Sequence, residues 1–171
     1  MPNEPLWPFL IIDGLSGDEL VEAYRRIYLE NYVFDNQGVR RLFQDWTGAS
    51  VSFSDRAFDH AFSETSGYRE GLDHEHFSLS LAQRMLWIRE VLACSRGTIN
   101  RFQQQKMTDR GRQTKRRTFV VCEESYVVVL DNPRKPEAPF QFVTAFHTPD
   151  MDYLKRIAAT SALLECRKGK G

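Results

Sequence analysis

The chain reads as an α+β protein: N-terminal helices packed on a small antiparallel β-meander, with a C-terminal helix. Two observations predict this class. In the first part of the chain, apolar residues recur at helical spacing, as in Leu20, Tyr24, Ile27 and Tyr28, and again in Leu81, Met85, Ile88 and Leu92. From Thr118 onward the pattern changes to β-branched and aromatic runs, TFVVC, YVVVL and FQFVTAF. Helices first and strands afterwards place helices on one sheet face rather than alternating them with strands. A length of 171 residues suits one compact core. Within it, residues 1–50 read as a helical extension packed on an α+β core of residues 51–171.

Each element has its own signal. LSGDELVEAYRRIYLENYV predicts the first helix, with Ser16 as cap and Glu19 completing a capping box. NQGVRRLFQDWTGAS predicts a short helix bracketed by Gly38 and Gly48. VSFS alternates like a short strand. Ser54 or Asp55 then caps a helical piece in which Phe58, Ala61 and Phe62 share a face. TSGYREGLDHEH is a polar loop. FSLSLAQRMLWIREVLACSRG predicts the clearest helix, stopped at Gly97. TINRFQQQKMTDRGRQTKRR is basic and poor in apolar residues, and it reads as a loop or ribbon. The Glu123–Glu124 turn and the DNPRKPEAP loop join the three apolar runs into a meander. PDMDYLKRIAATSALLEC closes the chain as a helix with Asp150 or Asp152 near its start, and RKGKG is a basic tail.

Composition narrows the function classes. Charged residues make up 27% and cancel to a net charge of zero, so no global attraction to nucleic acid or to an acidic membrane exists. Any such affinity must be local. The cysteines Cys94, Cys122 and Cys166 are odd in number and lack a C-x-x-C pair. That argues against a disulfide framework and a thiolate zinc site. Cys122, at the end of an apolar run, reads as a small core residue. No apolar run approaches a membrane span. MPNEPLWPFLII carries Glu4 and three prolines without a basic leader, so it is a poor signal peptide. The expectation is a soluble, reduced, cytoplasmic protein without a cofactor.

Two features carry chemistry. FSDRAFDHAFSE sets His60 between Phe58 and Phe62, with Asp55, Arg56, Asp59 and Glu64 around it. A lone histidine among aromatics is ordinarily packed or hydrogen-bonded. The second feature is local charge. From Arg96 to Arg117 the basic residues include Lys106, Arg110, Arg112, Lys115, Arg116 and Arg117, and Asp109 is the sole acid. Such a run leading into a sheet suits phosphate, and arginine offers a forked donor matched to its oxygens. The plain alternative is a solvated loop guarding an edge strand. In FQFVTAFH, alternation sets Phe140, Phe142, Thr144 and Phe146 on one face, which places a hydroxyl in an aromatic row. His74-Glu75-His76 invites a metal reading but lacks H-E-x-x-H spacing and a second carboxylate, so no metal site is assigned. Together, His60, the basic run and the polar-studded strand are what a metal-independent RNase needs. A base takes the 2′-hydroxyl proton, cations steady the phosphate and an acid protonates the leaving oxygen. Histidine, with an ordinary pKa of about 6.5, suits the proton steps.

FDHAFSE, FSLSLAQRMLWIREVL, KRRTFVV…ESYVVVL and FQFVTAF, in that order, resemble the phage-associated nucleases of the barnase/EndoU/colicin/RelE-like superfamily. The resemblance spans about Val51 to His147. It implies an RNA endonuclease of toxin or phage-effector type that works without metal. Under it, His60 transfers protons, Thr144 is the positioning hydroxyl, and one of Lys115, Arg116 and Arg117 is the phosphate cation, with Arg117 closest to the strand. Arg84, flanking the stripe of its helix, adds a second cation, and Arg112 extends the phosphate-binding surface. RNA is the implied partner, together with a possible inhibitor or antitoxin protein, and no membrane. Two alternatives are a non-catalytic RNA- or protein-binding module of the same fold, and a metal-dependent nuclease using Asp55, Asp59, His74 or His76.

Overall fold

A computed structural model of the chain describes residues 4–64 and 72–170. The first part of the TSGYREGLDHEH segment lies outside the described residues. The frame is one curled, mixed sheet of seven strands with five short helices. The strands are β1 (Phe43–Gln44), β2 (Ser50–Ser52), β3 (Thr98–Met107), β4 (Gln113–Val121), β5 (Tyr126–Asp131), β6 (Phe140–His147) and β7 (Ala162–Lys168). Across the sheet they run β1-β2-β6-β5-β4-β3-β7. All neighbours are antiparallel except β2 and β6.

This overturns the expectation of helices on a small three-stranded meander with a terminal helix. The meander exists as β4-β5-β6, but it is the middle of a larger sheet. The basic ribbon becomes the β3–β4 hairpin, paired from Ile99↔Val121 to Met107↔Gln113. Its polar residues did not announce a strand because backbone hydrogen bonds, not side-chain burial, carry the outer half of that ladder. The C-terminal segment holds α5 only over Met151–Thr160, capped by Asp150, whose carboxylate accepts from the Asp152 and Tyr153 amides. It then continues as β7 along β3, so Ala162–Lys168 is edge strand rather than helix. The short helix expected near Gly38 is the β1–β2 hairpin instead, turned at Gly48 with φ +86.

The remaining helices are α1 (Gly17–Tyr28), α2 (Ala57–Ala61), α3 (Leu79–Gln83) and α4 (Trp87–Ala93). α1 runs on into a π-helical turn at Leu29–Val33, and Ser16 sits at its cap without a side-chain hydrogen bond. The long helix expected over FSLSLAQRMLWIREVL breaks between α3 and α4. At the break the Arg84 and Met85 carbonyls accept from the Trp87 and Ile88 amides three residues on, and buried tyrosines bond to them as well: Tyr32 donates to the Met85 carbonyl at 2.6 Å and Tyr126 to that of Arg84 at 3.3 Å.

The two sheet faces differ. On one face Phe119, Val121, Tyr126, Val128, Leu130 and Phe142 meet Tyr28, Tyr32, Phe53, Phe58 and Trp87 in the main core. Residues 1–50 contribute to this same cluster through Trp7, Tyr24, Tyr28 and Tyr32. On the other face, α5 covers a smaller cluster of Phe102, Val120, Val127, Val129 and Ile157, with Phe146 and Tyr153 beside it. Cys94 is buried, whereas Cys122 is exposed and so is not the core residue its apolar run suggested. All three thiols are free. Among the described residues no helix is long and apolar enough to cross a membrane.

Candidate active site

β2 covers β6 only at Phe140 and Gln141. Past that point the edge of β6 meets α2 and α3, and the gap between them is a cleft of about 560 Å3. Its walls are His60 and Ala61 at the end of α2 with Ser63 and Glu64 after it, Ser78, Ser80 and Leu81 at α3, and Thr144, Phe146 and His147 on β6. His60 and Thr144, more than eighty residues apart in sequence, therefore face the same space.

Local chemistry explains how His60 comes to line it. Phe58, Ala61 and Phe62 are buried in the main core and pin α2 down. Arg25 of α1 holds the helix from outside: it donates to Asp59 at 2.8 Å and lies over the Phe58 ring at 4.6 Å. Ser54 accepts from the Ala57 amide at 3.2 Å at the helix start. The imidazole itself has no hydrogen-bond partner among the described residues. It is not a packed histidine satisfied by a neighbour. Burial, and then the positive charges of Arg116 and Lys106, hold its pKa below the ordinary value. His60 is thus a neutral base at neutral pH, with cations close enough to be felt.

Adjacent arginines lie on opposite faces. Arg117 shares a face with Phe119 and Val121. Its Nη1 donates to Asp45 Oδ2 at 2.7 Å and to Thr47 Oγ1 at 3.3 Å, and its guanidinium lies 4.2 Å from the Phe140 ring centre. The two side chains are 16% and 0% exposed, so this pair belongs to the core and not to the cleft. Arg117 is therefore not among the residues that meet His60 and Thr144. Arg116 falls on the other face with Thr118 and Val120, beyond the part that α5 covers. Its Nε donates to Asp131 at 2.9 Å in a pair that is 22% and 47% exposed.

The other sequence-predicted cations separate. Lys115 is exposed near the start of β4, where it lines a hollow with Arg116 and not the histidine cleft. Arg112 is exposed where the β3–β4 turn closes, its amide donating to Thr108 Oγ1. Arg84 ends α3 and braces the cleft wall, with Nη1 donating to Ser80 Oγ at 2.7 Å. It also lies over the rings of Phe9 and Trp87.

Sequence reasoning misses two residues. His147, directly after FQFVTAF, opens on the same cleft, and burial followed by the Arg84 charge lowers its pKa. Lys106 stands out in the sequence only as part of a basic run, and it takes the β3–β4 register to set it near His60. For the metal reading, His74 Nδ1 pairs with Asp18 at 2.9 Å and His76 Nδ1 with Asp73 at 2.6 Å. Among the described residues no group of three or more His, Cys, Asp and Glu side chains could hold a metal ion. Comparison with protein-family models, curated proteins and solved structures finds no match.

Proposed function

We propose that the chain is a metal-independent RNA endonuclease of toxin or phage-effector type, a reading carried by the meeting of His60 and Thr144 in one cleft. Its resemblance to the barnase/EndoU/colicin/RelE-like superfamily agrees with that chemistry. Neutral His60 takes the proton from a ribose 2′-hydroxyl. The 2′-oxygen attacks the adjacent phosphorus, the bond from phosphorus to the 5′-oxygen breaks, and a 2′,3′-cyclic phosphate remains. The imidazolium form of His147 supplies the proton that the leaving 5′-oxygen needs. Arg116, with Lys106 behind it, opposes the charge that builds on the phosphoryl oxygens. Thr144 orients the ribose or the phosphate by its hydroxyl.

The test is cleavage of RNA by the purified protein in EDTA. His60→Ala is expected to lower the rate by about 10²–10⁴, the usual worth of a general acid–base group, with the fold intact by circular dichroism. Wild-type rates in His60→Ala would reject the assignment. Salt-sensitive RNA binding without cleavage at any pH would instead make the chain a binding module.

A further inference from the structure

We infer that the chain carries a second, separate phosphate-binding trough that holds a run of single-stranded RNA backbone leading away from the histidine cleft. This rests on the nuclease reading above and adds the form of its substrate.

The trough lies between the β3–β4 hairpin and the β5–β6 loop and has a volume of about 630 Å3. Lys106, Lys115, Arg116 and Arg134 line it, and Pro133 and Pro139 give it an apolar wall. A hollow of about 680 Å3 continues it, sharing Thr114 and Arg134 and adding Arg110 and Arg112. Two acids, Asp109 and Asp131, stand among these six cations, and Asp131 is already engaged by Arg116. A chain of zero net charge has thus gathered positive charge along one channel. Among the described residues none of Lys106, Arg112 and Arg134 is ion-paired.

The trough and the cleft lie along one strand: Gln141 lines the trough and Thr144 lines the cleft, and across the β-bulge between them they pair with Asp131 and Val129, about 7 Å apart along β5 at ~3.3 Å per residue. Arg116 lines the trough while its charge acts on His60. A polyanion whose reacting phosphate sits at His60 can follow this line. A channel with cations along it and few base-reading donors fits a flexible single strand tracked by its backbone.

The probe is a fluorescein-labelled 2′-O-methyl RNA, whose blocked 2′-oxygen cannot attack, as a trimer and as a decamer. Anisotropy is read on the full chain between 50 and 200 mM salt. Wild type is expected to bind the decamer at least tenfold more tightly than the trimer. Arg112→Ala/Arg134→Ala is expected to weaken decamer binding about tenfold. It should also flatten the log–log salt slope by about 1.4, at ~0.7 for each phosphate of a single strand that is no longer neutralised. Circular dichroism checks the fold, and Arg134→Glu repeats the test by charge reversal. Unchanged decamer affinity and slope in both variants would overturn the trough. So would competition by poly-glutamate as strong as by the decamer, which would assign the channel to an acidic protein. The blocked probe separates the two claims: trough binding with no cleavage of ordinary RNA would sink the nuclease reading and leave the trough standing.

Discussion

Arg116 and Arg117 are consecutive, chemically identical and on opposite faces of one strand, and the two faces use them differently. On the helix-covered face, Arg117 is closed in by a carboxylate, a hydroxyl and an aromatic ring, and Asp45 opposite it is fully buried. On the face that α5 leaves partly open, Arg116 commits its Nε to a half-exposed aspartate and lines the trough, and its charge is felt at His60. Burial decides whether a cation is a structural tie or a free binding group. A guanidinium paired and desolvated in this way is held away from solvent, where a phosphate would have to meet it.

The sharpest break of this contrast is Asp45→Ala. The carboxylate accepts from the Thr47 amide at 2.8 Å and from the Ala49 amide at 3.2 Å as well as from Arg117. Removing it strands a charge in the core. The expected loss is about 3–5 kcal/mol, the usual cost of breaking a buried pair from one side. A urea midpoint shift at constant slope reads it, and the fraction that stays folded should keep its RNA cleavage. Cleavage lost from a still-folded Asp45→Ala would return Arg117 to the site.

Arg116→Gln tests the open face and should do the reverse. Removing a preorganised donor to the phosphoryl oxygens costs about 10²-fold in rate. That is about 2.7 kcal/mol of transition-state stabilisation. Stability should move by less than about 1 kcal/mol, because the pair removed is partly exposed. A large fall in stability with little change in rate would mean that the two faces had been read in the wrong sense.

Parts of this contrast are legible in the sequence. The apolar neighbours of His60 mark it as anchored, and FQFVTAF gives a strand but not its faces: a β-bulge puts Phe142 in the main core and sets Thr144 and Phe146 off the single aromatic row that strict alternation predicts. The choice among Lys115, Arg116 and Arg117 is not legible. It depends on which face of β4 the helices cover, and that is set by Phe119 and Val121 meeting residues far away in the chain. The break between α3 and α4 is hidden for a similar reason, since Tyr32 and Tyr126 reach its carbonyls from outside the segment. β3 is hidden by its polarity, since a ladder of backbone hydrogen bonds leaves no apolar signature, and β7 by ALLEC, helix-favouring residues that read as a continuation of α5.

The pH dependence sharpens the comparison on a finer scale. His60 and His147 both have folded pKa values below about 6.5. The kcat/KM profile, which reports the free enzyme, should be a bell with its maximum on the acid side of that value. The same shifts bear on stability. A histidine with a lowered folded pKa binds fewer protons folded than unfolded, so its contribution is complete above about 6.5 and is lost as pH falls through the folded pKa. His74, raised by its hydrogen bond to Asp18, works the other way: its contribution is complete below about 6.5 and is lost as pH rises through the folded pKa. In Arg116→Gln one of the charges lowering His60 is gone but burial, the larger cause, remains. An NMR titration of the His60 ring should move upward and still end below about 6.5. No movement would place Arg116 too far away to act.

The smallest effect belongs to Asp131→Asn. Its carboxylate is 47% exposed and holds Arg116 by one bond, so the stability change should stay within about 1 kcal/mol. The informative quantity is binding. Asparagine keeps a carbonyl oxygen to accept the Arg116 Nε but removes a negative charge from the trough. Binding of the 2′-O-methyl decamer should therefore tighten severalfold. The same change at Asp45 would unfold part of the protein and tighten nothing. If Asp131→Asn weakened binding instead, the aspartate would be holding Arg116 in its working position, and the open face would depend for its chemistry on a fixed ion pair as the buried face does.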